Sequence, residues 1–192
     1  MIPHVIHYIW LGGGIPKEIQ YCQSSWKKLE VNGWKIVKHD EPSFQLSDLP
    51  QAIQVAYKNR KYAIVTDYLR LKILFEYGGV YLDTDIEIRK DFSNLLDSSS
   101  IVLGFIFKYS LGTAFIACEK NNCLIKAILD QYQSATYDFD SFSNKFTLTF
   151  SFLHDFPMIN NNDLFTAFFL KNVPNFRLNG KLQHCGKYNE IT

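Results

Sequence analysis

The sequence predicts an α/β fold with a mostly parallel central sheet flanked by helices. Near the amino terminus, a short apolar run at 4–11 is followed by three glycines, a helical pattern and a second apolar run at 34–39. Strand, glycine turn, helix and strand form a βαβ unit, and such units build parallel sheets. With 192 residues, 47% of them hydrophobic, the chain can bury one core, so we assign residues 1–192 to a single domain.

The other elements follow from hydrophobic periodicity and from the positions of glycine and proline. Pro16 suits the first turn of a helix, and Gly78 suits the position just after one. Apolar runs predict strands at 4–11, 34–39, 80–88, 101–107 and 113–118, and helical periodicity predicts helices at 17–29, 50–57, 62–77, 122–132 and 163–170. The phenylalanine-rich stretch 139–169 is expected to be core, with a membrane-facing patch as the alternative.

Composition and charge limit the function classes. The net charge of +1 gives no electrostatic reason to expect a nucleic-acid partner. The four cysteines form no CxxC pair and have no histidine at zinc-binding spacing, as is typical of reduced thiols in a cytoplasmic protein. No leader peptide and no membrane-spanning run are predicted.

The predicted helix 62–77 has polar side chains on two sides. At about 100° per residue, Lys72 and Glu76 share one stripe, whereas Asp67 and Arg70 lie on roughly the opposite side. One side can face water, and the other must be paired or line a cleft, because burying an unpaired charge is costly. An Asp67–Arg70 ion pair that only closes the helix surface is the simpler interpretation, and the helix alone does not decide between the two.

Two aspartates follow this helix, after a Gly-Gly break. If 80–88 is one strand, Asp83 and Asp85 point to the same face, about 6–7 Å apart. That spacing favours one carboxylate on a divalent metal ion and the other on a sugar or ribose hydroxyl. Hard oxygen ligands suit Mn²⁺ or Mg²⁺, which can bridge a diphosphate. A lone DxD is common by chance, but its position after an apolar strand and the two-sided helix makes a solvated strand edge less convincing.

Three segments together resemble the family 32 glycosyltransferases, which carry a DxD sugar-binding motif and include capsular-polysaccharide enzymes. The segments are IPHVIHYIWLGG at 2–13, SSW at 24–26 and YAIVTDYLRLKILFEYGGVYLDTDIEI at 62–88. The catalytic domains of the large clostridial glucosylating toxins are similar at a greater distance. The resemblance covers roughly residues 1–130, and its specific element is D-x-x-R followed by Y-L-D-x-D.

The resemblance implies a GT-A-type fold and assigns roles around a donor sugar. Asp85 resembles the direct metal ligand, and Asp83 resembles the residue that holds the ribose or donor sugar, partly through the metal. Asp67 and Arg70 resemble residues that contact the hydroxyls of the donor sugar and its phosphate side. With no carboxylate clearly placed as a nucleophile, the resemblance favours front-face transfer with retention of configuration.

Two aromatic residues are assigned to the nucleotide by the same resemblance. Tyr81 resembles an aromatic beside the diphosphate. Trp10, at the end of the first strand, resembles the residue whose ring stacks on the base, with burial in the core as the alternative. His154 and His184 carry no clear signal and are interpreted as solvated histidines.

The function implied is that of a metal-dependent, retaining hexosyltransferase. The cofactor is Mn²⁺ or Mg²⁺, the donor is a nucleoside diphosphate sugar, and the acceptor is a saccharide or lipid-linked saccharide in surface polysaccharide synthesis. Peripheral contact with the inner face of the cell membrane is part of this expectation. Two alternatives stay open: a nucleotide-sugar-binding pseudoenzyme, and a toxin-like enzyme that modifies a host protein.

Relatives in this family usually continue with a His-x-Trp-type segment that closes over the diphosphate. This chain stops at KYNEIT, where that segment would begin, so we expect it to lack the segment. Weak metal binding or loss of activity would follow from that expectation, which is the basis of the pseudoenzyme alternative.

Overall fold

The computed structural model describes residues 1–97, 99–153 and 161–181. Residues 98, 154–160 and 182–192 lie outside these ranges, and with them His154, His184 and the expectation about the C-terminal segment. The strands are β1 (Val5–Ile9), β2 (Lys35–His39), β3 (Gly79–Leu82), β4 (Ile101–Phe107), β5 (Ser110–Cys118), β6 (Thr136–Asp140) and β7 (Lys145–Thr149). The helices are α1 (Lys17–Ser24), α2 (Lys27–Glu30), α3 (Gln51–Lys58), α4 (Tyr62–Tyr77), α5 (Cys123–Gln133) and α6 (Asn161–Asn172).

The central sheet has five strands in the order β2-β1-β3-β5-β4. β1 runs parallel to β2 and to β3, whereas β5 runs antiparallel to β3 and to β4. Four strands of this sheet therefore share one direction, and β5 is reversed. The mostly parallel sheet flanked by helices, expected from the sequence, is confirmed.

The helix predicted over 17–29 is in fact two short helices, α1 and α2, separated at Ser25 and Trp26. Trp26 is fully buried, and its indole nitrogen donates to the carbonyl oxygen of Ile86 at 2.7 Å. The hydroxyl of Ser25 accepts from the backbone nitrogen of Ile88 at 2.8 Å. Contacts with the segment after β3 thus interrupt the helix, which local periodicity could not reveal.

Helix α4 has the predicted bounds, and Gly78 follows it as expected. The φ angle is +68° at Gly78 and +98° at Gly79, a range that glycine adopts easily. A Cβ atom at Gly78 would lie 2.6 Å from the backbone nitrogen of Lys120, and one at Gly79 would lie 2.6 Å from the carbonyl oxygen of Val5. Glycine is required at both positions for the chain to leave α4 and enter the sheet beside β1.

The prediction of one strand over 80–88 is wrong, because β3 ends at Leu82. The backbone nitrogen of Asp83 still donates to the carbonyl oxygen of Ala114 on β5, at 2.8 Å. The chain then turns, and the backbone nitrogen of Ile86 donates to the carbonyl oxygen of Asp83 at 3.2 Å. Asp83 and Asp85 therefore lie on a turn at the carboxyl end of β3, and not on one face of a strand.

Two hydrophobic clusters cover the two faces of the sheet. The larger contains α4, which packs against α3, α5 and the sheet, and the smaller is built around Trp26 and Trp34. Phe150 and Phe165 are buried in the larger cluster, so this part of the phenylalanine-rich stretch is core as expected, whereas Phe142 at the tip of the β6–β7 hairpin is fully exposed. In the part of the chain that the structure describes, no helix has the length and apolarity needed to cross a bilayer.

Candidate functional site

Two parallel strands end at the same edge of the sheet and bring polar side chains there. β1 ends at Ile9 and is followed by Trp10, and β3 ends at Leu82 and is followed by Asp83. Ligand clefts of α/β proteins form at this carboxyl edge. Trp10 is only partly buried and its indole nitrogen donates to the carbonyl oxygen of Gly13 at 2.9 Å, so Trp10 is not a core tryptophan.

Arg70 of α4 joins two carboxylates. Its Nη2 lies 2.8 Å from Oδ1 of Asp67, and its Nη1 lies 3.3 Å from Oδ1 of Asp83. Nη1 also donates to the carbonyl oxygen of Thr113 at 2.7 Å, and Nε donates to that of Thr66 at 3.3 Å. The Asp67–Arg70 pair is therefore present, but it does more than close the helix surface. A planar guanidinium can hold both carboxylates, and it links α4 to the DxD turn.

Tyr81 supports this network from inside the sheet. Its side chain is buried, and its hydroxyl donates to Oδ1 of Asp83 at 3.0 Å. The guanidinium carbon of Arg70 lies 4.6 Å from the centre of the Tyr81 ring, within the distance of a cation–π contact. Burial raises the pKa of Tyr81, so its hydroxyl stays a donor. The ring positions Arg70 and Asp83 and leaves almost no surface for a ligand.

The network forms one wall of a cleft of about 200 Å³. The cleft is lined by Asp67, Arg70, Asp83, Ile106, Thr113, Ala114, Asn161 and Asn162. The structure thus brings three of the predicted site residues together in one cleft. Trp10, Tyr81 and Asp85 are not among the lining residues: Tyr81 lies behind the wall, and Trp10 and Asp85 lie at the sheet edge beside it.

The charges of the cleft respond differently to burial. Burial raises the pKa of Asp67 to about 6, although the attraction of Arg70 opposes the rise. Burial by itself would lower the pKa of Arg70, but Tyr81, Asp67 and Asp83 outweigh it, so the pKa is raised and the guanidinium stays charged. A carboxylate that titrates near neutral pH beside a fixed cation, in a cleft, is typical of functional sites.

The DxD turn suits a divalent ion that is shared with a phosphorylated ligand. Asp85 is exposed, and Asp83 is partly exposed with its Oδ1 already held by Tyr81 and Arg70. Among the described residues, no three His, Cys, Asp or Glu side chains form a group that could hold a metal. Mg²⁺ and similar hard ions are often held by one or two carboxylates with the remaining ligands from phosphate and water. The two aspartates fit that arrangement and do not form a closed protein site.

Several cleft residues were not anticipated from the sequence. Thr113 lies on β5, and Asn161 and Asn162 lie at the start of α6, far along the chain from the DxD turn. The one sequence signal was the run of three asparagines at 160–162, just before the predicted helix 163–170. Asparagines there are readily explained as helix-capping residues, so the run does not by itself indicate a site.

Comparison with known proteins gives a family for the segment that contains this network. Residues 16–102 match the family described as "Glycosyltransferase sugar-binding region containing DXD motif". The match includes Asp67, Arg70, Asp83 and Asp85, and it confirms the resemblance stated from the sequence.

Curated relatives carry glycosyltransferase names. The chain is 33% identical over 122 residues to "Uncharacterized glycosyltransferase L373" of Acanthamoeba polyphaga mimivirus, which is 60% of this chain and 46% of that protein. It is 31% identical over 111 residues to "Inositol phosphoceramide mannosyltransferase 1" of Schizosaccharomyces pombe, covering 53% of this chain and 34% of the relative. It is 32% identical over 77 residues to the Homo sapiens "Lactosylceramide 4-alpha-galactosyltransferase", covering 40% of this chain and 21% of the relative. The chain thus spans less than half the length of these relatives.

Among solved structures, the chain is similar to "PaToxG Glycosyltransferase", with a TM-score of 0.62 and 21% identity. The similarity covers 90% of this chain and 69% of that one. At this identity the likeness concerns the fold, and it confirms the GT-A-type α/β fold expected from the sequence.

Proposed function

We propose that this chain transfers a hexosyl group from a nucleoside diphosphate sugar to a hydroxyl of a saccharide acceptor. The observation that carries the proposal is the position of Arg70, which holds Asp67 and Asp83 together in one cleft at the carboxyl edge of the sheet. Fixed carboxylates are strong acceptors for sugar hydroxyls. The match of residues 16–102 to the DXD sugar-binding region supports the same activity.

In this proposal the residues divide between binding and positioning. Asp67 accepts a hydrogen bond from the donor sugar, and Asp83 contacts the ribose or the sugar. Asp85, with Asp83, would hold Mn²⁺ or Mg²⁺, which would offset the charge of the departing diphosphate. Trp10 stacks on the base. Arg70 is 95% buried and engaged by four oxygen acceptors, so its main task is to orient the two carboxylates.

The carboxylates of the cleft also bear on the stereochemistry. A double displacement needs a carboxylate free to attack the anomeric carbon. Both carboxylates that line the described cleft, Asp67 and Asp83, are paired with Arg70, which weakens them as nucleophiles. This pairing supports front-face transfer with retention, in which the acceptor oxygen attacks on the side from which the diphosphate leaves.

The proposed acceptor is a lipid-linked saccharide used in surface polysaccharide synthesis. The enzyme would meet it at the cytoplasmic face of the cell membrane. Two relatives are named for transfer to inositol phosphoceramide and lactosylceramide, which supports a lipid-linked acceptor. Ile106 lines the cleft. Phe107, the last residue of β4, and Tyr109, on the β4–β5 turn, are 72% and 71% exposed. Aromatic side chains in such a position suit peripheral contact with a membrane. Co-sedimentation with phospholipid vesicles, with Phe107→Ser as the comparison, tests the contact.

The first experiment is calorimetric titration with UDP and with GDP, each with and without Mn²⁺. Binding of one nucleotide that depends on Mn²⁺ is the expected result, and it identifies the base. Release of nucleotide from UDP-glucose, UDP-galactose, UDP-N-acetylglucosamine and GDP-mannose then tests turnover and donor choice.

The outcomes separate the alternatives. Binding of a nucleotide sugar without turnover, even with saccharide acceptors present, would support the pseudoenzyme alternative. Transfer to a protein hydroxyl would support the toxin-like alternative. Absence of binding to both nucleotides, in a folded protein with Mn²⁺, would contradict the proposed function.

A further inference from the structure

One buried polar group in the cleft has no partner. Asn161, the first residue of α6, is 5% exposed, and among the described residues its side-chain nitrogen makes no hydrogen bond. Buried N–H groups are almost always paired, because an unpaired one loses its hydrogen bonds to water without replacement. Asn161 lines the cleft that also contains Asp67. An unpaired donor in this position indicates that a ligand completes it.

The orientation of the Asn161 amide is set from behind by α5. The hydroxyl of Tyr132 donates to Oδ1 of Asn161 at 3.3 Å. Burial raises the pKa of Tyr132 well above its ordinary value, so the hydroxyl keeps its proton and can donate to this oxygen. The oxygen of Asn161 therefore faces Tyr132, which leaves its nitrogen for the cleft.

The neighbouring asparagine is held in the same way. Oδ1 of Asn162 accepts from both the backbone nitrogen and the hydroxyl of Thr113, each at 2.9 Å. Its oxygen is occupied by Thr113, so the part of this amide that a ligand could contact is its N–H side. The start of α6 thus adds hydrogen-bond donors to a cleft whose α4 wall supplies carboxylate acceptors.

A hydroxyl group is the ligand chemistry that suits this pair of walls. It can donate to Asp67 and, with the same oxygen, accept from Asn161. An anionic ligand would satisfy Asn161 but would be repelled by Asp67 and Asp83. The Asn161 side chain interacts with Asp67 as a hydrogen-bonding group that opposes the rise of the Asp67 pKa, but its nitrogen has no partner within full hydrogen-bonding distance. A hydroxyl group placed between the two side chains would complete both.

We propose that Asn161, oriented by Tyr132, shares one hydroxyl of the donor sugar with Asp67. Asn161 is then a specificity-determining residue that contacts the sugar, and Tyr132 is a positioning residue that acts through it. This inference rests on the proposed function, and it extends the donor site beyond residues 16–102, the segment that matches the known family.

The test compares a nucleotide with its sugar conjugate in the same titration. The affinity for UDP is compared with that for UDP-glucose and UDP-galactose, and the affinity for GDP with that for GDP-mannose. These titrations are made with the wild type and with Asn161→Ser, Asn161→Asp and Tyr132→Phe. Asn172→Asp, at the other end of α6, is the matched control. The expected result is unchanged affinity for the free nucleotide in all variants. The sugar conjugate should bind about tenfold more weakly, or worse, in both Asn161 variants, and a few-fold more weakly in Tyr132→Phe, since about one hydrogen bond is lost or loosened.

Donors in which single hydroxyls are replaced by fluorine identify the shared hydroxyl. Fluorine cannot donate to Asp67, so one analogue should lose affinity in wild type and lose little more in Asn161→Ser, as expected for groups that interact with each other. Equal affinity of the sugar conjugate in wild type and Asn161→Ser would overturn the inference while leaving the proposed function intact. If the wild type bound no sugar conjugate at all, the inference and the proposed function would both be contradicted. Asn161→Ser keeps the test valid if the buried charge of Asn161→Asp prevents folding.

Discussion

Two polar clusters lie against helix α4, and they differ in charge: one contains charged side chains and the other neutral ones. The arginine cluster, Asp67, Arg70 and Asp83, keeps a cation and two carboxylates at the carboxyl edge of the sheet. The histidine pair consists of His7, within β1, and His39, the last residue of β2, with Nδ1 of His7 3.0 Å from Nε2 of His39. The arginine cluster is charged and borders the cleft, whereas the histidine pair is neutral and its two rings contact each other.

The histidine pair is closed by its own hydrogen bonds. Nε2 of His7 donates to the carbonyl oxygen of Gly78 at 3.1 Å, so Nδ1 is the acceptor for His39. Burial and then repulsion by His39 lower the pKa of His7 to about 4. Both ring nitrogens of His7 are used within the protein, which is what a structural role requires. The arginine cluster instead shares its cleft with the unpaired amide of Asn161, which is what a binding role requires.

Breaking the arginine cluster should have the largest effect. In Arg70→Met, Asp67 and Asp83 lose their shared cation, and we expect a loss of about 3 kcal/mol of unfolding free energy. This is the lower end of the range for a broken buried pair, because both carboxylates keep some exposure. Turnover should fall below detection. Urea denaturation and donor hydrolysis measure the two effects. Arg70→Lys should rescue part of the stability but little activity, since an ammonium cannot hold both carboxylates as a guanidinium does.

The histidine pair should respond to acid. The unfolded chain binds the His7 proton near its ordinary pKa of 6.5, whereas the folded chain binds it only near 4. Between these values the unfolded state holds more protons, so stability is present above pH 6.5 and is lost as the pH falls. The loss by pH 4 is about 3 kcal/mol at most. Urea denaturation at several pH values measures it. His7→Gln should reduce the change of unfolding free energy with pH, whereas His4→Gln, at an exposed position, should not. If the wild type and both variants showed the same pH dependence, His7 would not be the group responsible.

Asp85→Asn separates activity from stability at the exposed end of the DxD turn, next to the arginine cluster. Asp85 lies on a turn and is exposed, so unfolding free energy should change by less than about 0.5 kcal/mol. Turnover and metal-dependent nucleotide binding should fall about 100-fold or more, because the diphosphate would lose the ion that offsets its charge. Glu87→Gln, an exposed carboxylate two residues on, is the matched control and should behave as wild type. Unchanged metal dependence in Asp85→Asn would mean that the metal site lies elsewhere.

Asp67 should give the arginine cluster a mild pH dependence of its own. With a pKa of about 6, its carboxylate gains a proton as the pH falls through 6, and it is then a weaker acceptor for a hydroxyl and no longer forms an ion pair with Arg70. We expect affinity for the sugar conjugate to fall by up to about tenfold per pH unit below 6, while affinity for the free nucleotide changes less. Titrations from pH 5 to 7.5 measure this. Asp67→Asn should bind weakly at every pH, and a pH profile identical to that of wild type would rule out Asp67 as the titrating group.

The sequence by itself determined the elements whose signals are local. Helix α4 and strand β4 have the predicted bounds, and Gly78 follows α4 as predicted, because periodicity and glycine geometry act over a few residues. The residues Asp67, Arg70, Asp83 and Asp85 were also predicted as site residues from sequence, since they lie within one short segment with specific spacing.

Only the tertiary structure decided how those residues meet their partners. β3 ends at Leu82 because the chain turns beyond its pairing with β5, and α1 and α2 are separate because Trp26 is fixed by contacts beyond β3. The pairing of Arg70 with Asp83 and the unpaired amide of Asn161 depend on elements that are distant in sequence. Local patterns carry no information on such contacts, because burial and hydrogen bonding are settled only when the sheet and its helices pack together.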